Sequence, residues 1–112
     1  MRREAHAVAE AFKANRAAHI NSTVVYFADD GTKIMRYDGT AIAVESRNVL
    51  YLFDSGTLTK EIAERLNAVM DAYGLGHLKM VKDTVYLDSE PWEGTATYIL
   101  GDSHAGKAES RA

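Results

Sequence analysis

The sequence predicts an α+β domain in which one amphipathic helix packs on an antiparallel sheet. Residues 57–75 place apolar side chains at three- and four-residue steps, which is the spacing of a single helix face. Short segments rich in β-branched and aromatic residues precede and follow this helix, with two-residue turn signals between them. Because no helix connects two clean parallel strands, a doubly wound parallel sheet is not expected.

The chain begins with a predicted helix at residues 3–19, where alanine is abundant. Its apolar residues form a narrow stripe that Arg16 interrupts. They are Ala5, Val8, Ala9 and Phe12, with Ala17 and Ile20 further on. We therefore predict that segment 1–20 is a helix docked loosely on its own domain. The alternative is an arm that contacts a second copy of the chain or another protein.

An antiparallel meander is predicted next. Its four strands are residues 23–28, 33–37, 40–45 and 49–53. Asp30-Gly31 and Asp38-Gly39 are strong hairpin signals, and Arg47-Asn48 occupies the third turn. The fourth strand is apolar at every position, which is typical of a strand that is covered on both faces or lies centrally.

The predicted central helix has one apolar face and one polar face. The apolar residues are Leu58, Ile62, Leu66, Val69, Met70 and Tyr73, and the mostly opposite polar set is Lys60, Glu61, Glu64, Arg65, Asn67 and Asp71. Thr57 or Thr59 can cap the start. Gly74 can adopt the left-handed conformation that ends the helix, with Leu75 in the position of a Schellman contact.

The C-terminal part of the chain is predicted to return to strands. Residues 77–81 and 84–87 flank a turn at Lys82-Asp83, and residues 95–100 form a last strand. Between them, a loop at residues 90–94 contains the only Pro and the only Trp. We predict one α+β domain over residues 1–100. Residues 101–112 lack apolar periodicity and are predicted to form a flexible tail.

Composition limits the classes of function. The 112 residues suffice for one domain, and the net charge of −3 argues mildly against nucleic acid. The chain contains no Cys, which excludes disulfides, thiolate metal sites and a Cys nucleophile. No apolar run spans a bilayer, and the N-terminus lacks the apolar stretch of a signal peptide. We therefore expect a cytoplasmic protein with no membrane partner.

Several short motifs resemble a family of small, uncharacterised accessory proteins of phages and mobile elements. They are Tyr37-x-Gly39-Thr40-x-Ile42-Ala43, Thr57-x-Thr59, Arg65-Leu66-Asn67, and a hairpin that ends in Val85-Tyr86-Leu87. The resemblance covers about residues 23–87. It implies a small accessory protein of phage type, and it brings no activity and no catalytic residues.

The sequence holds no recognisable catalytic or metal-binding pattern. The histidines at positions 6, 19, 77 and 104 do not pair at ligand spacing. No serine lies in a nucleophile-elbow pattern. The close carboxylates at positions 29–30 and 90–93 are in predicted loops without an apolar setting that would raise a pKa. We therefore predict a protein that is not an enzyme, with no cofactor and no metal.

Our first functional hypothesis is a protein-binding accessory factor that contacts a host protein, with inhibition of a host defence system such as CRISPR–Cas as one form of it. Trp92 is the expected anchor, because aromatic residues often carry binding energy. An acidic neighbourhood surrounds it, formed by Asp83, Asp88, Glu90 and Glu93. The opposing interpretation is that Trp92 folds back over the core. Self-association is a further expectation.

The alternative hypothesis is a small nucleic-acid-binding module. It would use the first helix, which lies in a segment of charge +2 (residues 1–20, four basic residues against two acidic), or the face of the meander. The candidate basic residues are Arg2, Arg3, Lys13, Arg16, Lys33, Arg36 and Arg47. Tyr26 and Tyr37 would supply stacking surfaces.

Overall fold

A computed structural model describes residues 2–100 of the chain. In chain order the elements are α1 (Arg2–Lys13), β1 (Ala18–Ile20), β2 (Thr23–Phe27), β3 (Lys33–Tyr37), β4 (Thr40–Ser46), β5 (Val49–Phe53), α2 (Lys60–Tyr73), β6 (Leu78–Val81), β7 (Thr84–Leu87), β8 (Glu90–Pro91) and β9 (Thr95–Ile99). This arrangement confirms the predicted α+β class. The flexible tail predicted at residues 101–112 lies outside the described residues.

A six-stranded antiparallel sheet forms the larger layer, with the strand order β1-β2-β3-β4-β5-β9. The tight turns that the sequence indicated are present. Asp38 and Gly39 have φ angles of 54° and 84°, and Arg47 and Asn48 have 52° and 64°. Positive φ at both central residues is the geometry that joins twisted antiparallel strands through two residues. The Asp30-Gly31 signal instead forms a longer connection, in which Ala28 N–H donates to the Thr32 carbonyl at 2.9 Å.

Both termini of helix α2 are capped as the sequence predicts. Thr59 is the N-cap, and its hydroxyl accepts a hydrogen bond from the Ile62 N–H at 3.2 Å. Gly74 adopts the left-handed conformation with a φ of 71°. The Leu75 N–H donates to the Met70 carbonyl at 2.8 Å, which is the long bond of a Schellman motif. Of the two predicted caps, Thr59 is the one used.

The core lies between one face of the large sheet and the two helices. From the sheet, Val25, Met35, Leu50 and Leu52 are buried, and Leu66 is among the buried residues of α2. Helix α1 also packs closely on α2, and its Val8 and Phe12 are fully buried. Burial of the apolar side chains on both helices is the main stabilising contribution in this layer.

The first helix is shorter than the sequence predicted. It ends at Lys13, and residues 18–20 form the edge strand β1 instead of continuing the helix. Asn15 adopts a φ of 61°, and the Arg16 N–H donates to the Ala11 carbonyl at 2.9 Å. Asn is the residue after Gly that most readily closes a helix in this way. This local signal outweighs the helix propensity of the alanines that follow.

A second, three-stranded antiparallel sheet follows α2, in the order β6-β7-β8. The predicted hairpin is present, with Leu78 opposite Leu87 and Val81 opposite Thr84. The predicted loop at residues 90–94 contains the short strand β8, which pairs with β7. The chain then crosses to the large sheet, where β9 pairs with β5 along its whole length.

Candidate interaction site

An open groove of about 390 Å³ lies between β9 and the small sheet. Strand β9 contributes residues 95–98 to its walls, and the facing segment contributes Leu87 and residues 90–93. The groove therefore brings together three of the five residues that the sequence indicated for partner binding: Glu90, Trp92 and Glu93. We refer to this feature as the β9 groove.

Trp92 both covers the core and lines the β9 groove. Its indole N–H donates to Asp54 Oδ2 at 2.8 Å, and its backbone N–H donates to the Val85 carbonyl at 2.9 Å. The half-buried ring packs against the core. These contacts fix the side chain in one position. The ring can present a flat apolar surface to a ligand with little loss of conformational entropy.

The four predicted acidic residues do not all belong to the groove. Glu90 and Glu93 are exposed and line it. Asp88 lies in the turn before β8, and its Oδ1 accepts a hydrogen bond from the His77 N–H at 3.2 Å. Asp83 is exposed in the turn between β6 and β7 and does not line the groove. The acidic character of the groove therefore comes from its two glutamates.

Tyr98 forms part of the apolar floor. Its hydroxyl lies 3.6 Å from the sulfur of Met70. Burial raises the pKa of Tyr98, and the nearby charge of Asp88 raises this pKa further. The phenol therefore stays neutral at ordinary pH and adds no charge to the groove.

The basic residues of the nucleic-acid alternative are spread over several elements. Lys33 is buried on the helix side of the sheet, where its Nζ lies 2.9 Å from Glu45 Oε1. Arg36 is on the opposite face and donates to the Tyr26 hydroxyl at 2.8 Å. The exposed members of the set are Arg3, Lys13, Arg16 and Arg47, and the side chain of Arg2 lies outside the described part of the chain.

The two tyrosines that the nucleic-acid hypothesis proposed as stacking surfaces lie on opposite faces of the sheet. Tyr37 lies on the helix side of the sheet, with the Arg65 guanidinium carbon 4.3 Å from its ring centroid. Tyr26 remains on the open face beside Arg36, with the Arg36 guanidinium carbon 5.8 Å from its ring centroid. Because Lys33 and Tyr37 are directed to the helices, the open face retains only part of the predicted basic and aromatic set.

Two buried polar clusters were not predicted. Arg65, assigned to the polar face of α2, is buried and forms an ion pair with Glu4 of α1. Arg65 lies on the buried face of α2 because it is three residues after Ile62 and four before Val69. This spacing was the feature of the sequence that could have predicted its burial. Its burial was not predicted because arginine is charged and is rarely buried without a partner.

The second cluster surrounds Lys33. Its ammonium group lies over the ring of Phe12 at 4.7 Å from the centroid, and it donates to Asn15 Oδ1 at 2.8 Å. The Tyr73 hydroxyl donates to Glu45 Oε1 at 2.6 Å. Burial raises the pKa of Tyr73 strongly, and the hydrogen bond to Glu45 adds to this effect. The cluster therefore joins both helices to the sheet.

A second depression, of about 440 Å³, lies between α1, α2 and the start of β6. Its polar lining includes His6, Glu64, Asp71 and His77. Within residues 2–100, however, no three His, Asp or Glu side chains are placed so that they could hold a metal ion. Asn67 at its edge exchanges two hydrogen bonds with the backbone of Leu78, which fixes β6 to the helix. This depression has a structural explanation in the junction of three elements.

A family comparison identifies the relatives of the chain. The model of the family described as Kyanoviridae Gp96 protein matches residues 1–103. The chain belongs to this family. Membership in the Kyanoviridae Gp96 family confirms the phage origin that the sequence motifs indicated, whereas the accessory role remains a prediction. No curated protein and no solved structure matches the chain significantly.

Residues 2–100 of the chain form two helices, α1 and α2. Neither α1 nor α2 of this Gp96-family chain is long and apolar enough to cross a bilayer.

Proposed function

We propose that this phage protein is a non-enzymatic binding protein whose β9 groove holds a segment of a host protein. The observation that carries the proposal is the combination of a fixed aromatic floor and exposed carboxylates in one open groove. Trp92 and Tyr98 supply the apolar floor, and Glu90 and Glu93 supply the charge. Aromatic anchors beside a polar rim are the usual composition of a protein-binding site.

The two kinds of group contribute differently. Contacts with the rings of Trp92 and Tyr98 exclude water and supply most of the affinity, because buried aromatic contacts dominate interface energies. Exposed carboxylates such as Glu90 and Glu93 contribute roughly 0.2–1 kcal/mol per ion pair. Their main effects are on the choice of partner and on the association rate. A partner segment with basic side chains is therefore favoured.

The hypothesis of an inhibitor of host defence remains a prediction. Occupation of the β9 groove by a host segment would remove that segment from its normal contacts. Inhibition requires that the captured segment be one that the host protein needs for its activity. The identity of the captured protein decides this question.

The proposal can be tested by capturing partners from lysate of the native host. The tagged chain is compared with the variant Glu90→Lys/Glu93→Lys and with a matched control, Glu10→Lys/Asp29→Lys. The control makes the same charge change at exposed positions on α1 and in the β2–β3 connection. Bound protein and nucleic acid are both identified at low and at moderate salt, and the capture of protein is repeated after nuclease treatment.

We expect one stoichiometric host protein that the wild-type chain and the control retain and that the groove variant loses. Capture that is equal for all three proteins would place the binding site elsewhere on the molecule. Recovery of nucleic acid alone, lost as salt rises, would favour the nucleic-acid alternative, because phosphate contacts weaken steeply with ionic strength.

A further inference from the structure

Strand β9 is an outer strand of the large sheet. One of its edges pairs with β5, and within residues 2–100 no strand pairs with its other edge. The β9 groove runs beside this strand and ends at the small sheet. An unpaired edge presents a row of backbone donors and acceptors that a further strand can bind.

The hydrogen-bond pattern shows which groups of β9 are directed outward. The Asp54 N–H donates to the Gly94 carbonyl at 3.0 Å, and the Leu100 N–H donates to the Asn48 carbonyl at 2.7 Å. In an antiparallel pair, alternate residues make these bonds. The backbone N–H and C=O groups of the even-numbered residues of β9 are therefore directed toward β5. Those of Thr95, Thr97 and Ile99 are directed away from it.

The edge of β9 also lacks the usual protection against pairing. Proteins protect outer strands with charges, proline or short length. Strand β1, at the other side of the large sheet, has three residues and contacts α1. Strand β8, across the groove, has two residues and includes Pro91, which has no N–H to donate. Strand β9 has five residues, none of them charged or proline, and its Ile99 is 78% exposed.

We propose that the β9 groove receives an extended basic segment of a partner protein, which adds to β9 as a seventh strand of the large sheet. This inference rests on the proposed function and specifies its binding mode. Backbone hydrogen bonds to Thr95, Thr97 and Ile99 give affinity, as in other cases of strand addition. Alternate side chains of the segment face the aromatic floor, and its Lys or Arg side chains pair with Glu90 and Glu93.

A second copy of the chain is a less suitable occupant. If two β9 strands paired edge to edge, the strand beside each groove would be β9 of the other copy, which contains no basic residue to pair with Glu90 and Glu93. A basic segment neutralises these carboxylates, so charge complementarity favours the partner protein over self-association.

The substitution Thr97→Pro tests strand addition while preserving the fold. The N–H of Thr97 is directed away from β5, so proline at this position removes no bond of the existing ladder. Proline is tolerated in outer strands at such positions, and it blocks the pairing of a further strand. Thr97→Ala is the matched control, because it removes the same side chain and retains the N–H. Equal thermal unfolding of both variants confirms that the fold is intact.

The probe is a library of random dodecapeptides displayed on phage and selected against the full chain. We expect selected peptides to be rich in Lys or Arg and β-branched residues and poor in proline. Synthetic copies should bind at least about tenfold more weakly to Thr97→Pro and within about twofold of wild type to Thr97→Ala. The peptides should also bind more weakly to Glu90→Gln/Glu93→Gln than to wild type. This difference in affinity should become smaller at high salt, because salt screens exposed charges.

The outcomes separate this inference from the proposed function. Peptides that lose affinity for the glutamine variant but not for Thr97→Pro would show that the groove binds side chains without strand addition, and this inference would be wrong. Selection that yields no basic peptide would also overturn it. A dimer in sedimentation experiments that Thr97→Pro converts to a monomer would assign the edge to a second copy. Failure of host-protein capture, in contrast, counts against the proposed function.

Discussion

Arg65 of α2 and Glu4 of α1 form an ion pair that joins the two helices, with Nη2 and Oε2 2.5 Å apart. Their side chains are 2% and 13% exposed. The Arg65 Nε also donates to the Thr23 hydroxyl at 2.7 Å, so the same guanidinium reaches β2. The single side chain of Arg65, which belongs to α2, thus has partners on α1 and on β2 and connects both helices to the sheet.

The first prediction concerns the loss of this guanidinium. Arg65→Met should lower the free energy of unfolding by roughly 3 kcal/mol, because Glu4 is left without its charge partner in a largely buried setting. The value lies at the low end of the range for buried pairs, since Asn21 and Thr23 still donate to Glu4. Urea unfolding measures this change. A loss below about 1 kcal/mol would mean that the pair contributes little.

A double variant serves as the control for that experiment. Glu4→Gln removes the carboxylate charge while it keeps an oxygen that can accept a hydrogen bond. In the Glu4→Gln background, Arg65→Met should cost clearly less than it does in the wild-type chain. The difference between the two costs measures the coupling between the residues. Equal costs in both backgrounds would contradict a direct interaction.

The second prediction is a pH dependence that Glu4 causes. The pKa of Glu4 is lowered from its ordinary value of 4.5, first by the hydrogen bond from Asn21 and then by Arg65. A lowered pKa in the folded state contributes stability that is present above the unfolded value and is lost as the pH falls through the folded value. Wild-type stability should therefore fall more than that of Glu4→Gln below pH 4.5. The free energy of unfolding is measured with urea at several pH values for both proteins. An equal decrease for the two proteins as the pH falls would contradict the assignment to Glu4.

The third prediction tests the packing of α2. Leu66 is fully buried between the helices and the sheet. Leu66→Ala should cost roughly 2–5 kcal/mol, because it removes apolar contacts and leaves a cavity. Denaturant unfolding gives the value, and the partly exposed Ala63 can be changed to Ser on the same helix as a control. A cost below about 1 kcal/mol would contradict burial of this face.

The fourth prediction isolates the hydrogen bond that fixes Trp92. Trp92→Phe keeps an aromatic ring and removes the indole N–H that Asp54 accepts. The expected loss of stability is about 1.5 kcal/mol, at the low end of the range for a hydrogen bond to a charged group, because the pair is only partly buried. Trp92→Ala should cost more, because it also removes the ring from the core. Unfolding curves for the two variants that match wild type would show that Trp92 does not stabilise the fold.

Local features of this fold were predictable from the sequence. The caps of α2 at Thr59 and Gly74 and the tight turn at Asp38-Gly39 depend on the conformational preferences of a few adjacent residues. The end of α1 was missed, although its signal was equally local. Asn15 ends that helix with a positive φ. The prediction extended the helix past Asn15 because the alanines around it have high helix propensity.

Features that depend on distant partners were not predictable in the same way. Arg65 is buried because Glu4 lies 61 residues away in sequence and close in space. A single sequence gives no indication of that pairing. The positions of Glu90, Trp92 and Glu93 beside one another follow from their closeness in sequence. The groove that they line depends on β9 pairing with β5, which is again a distant contact.

The measurement that tests the central claim most directly is amide hydrogen exchange of the full chain, alone and with its captured host protein. Slowed exchange reports protection from solvent and new hydrogen bonds. We predict slowing at residues 85–99, with the largest effects at Thr95, Thr97 and Ile99, and little change in α1. Slowing confined to α1 or to β2 and β3, with β9 unchanged, would contradict a binding site in the β9 groove.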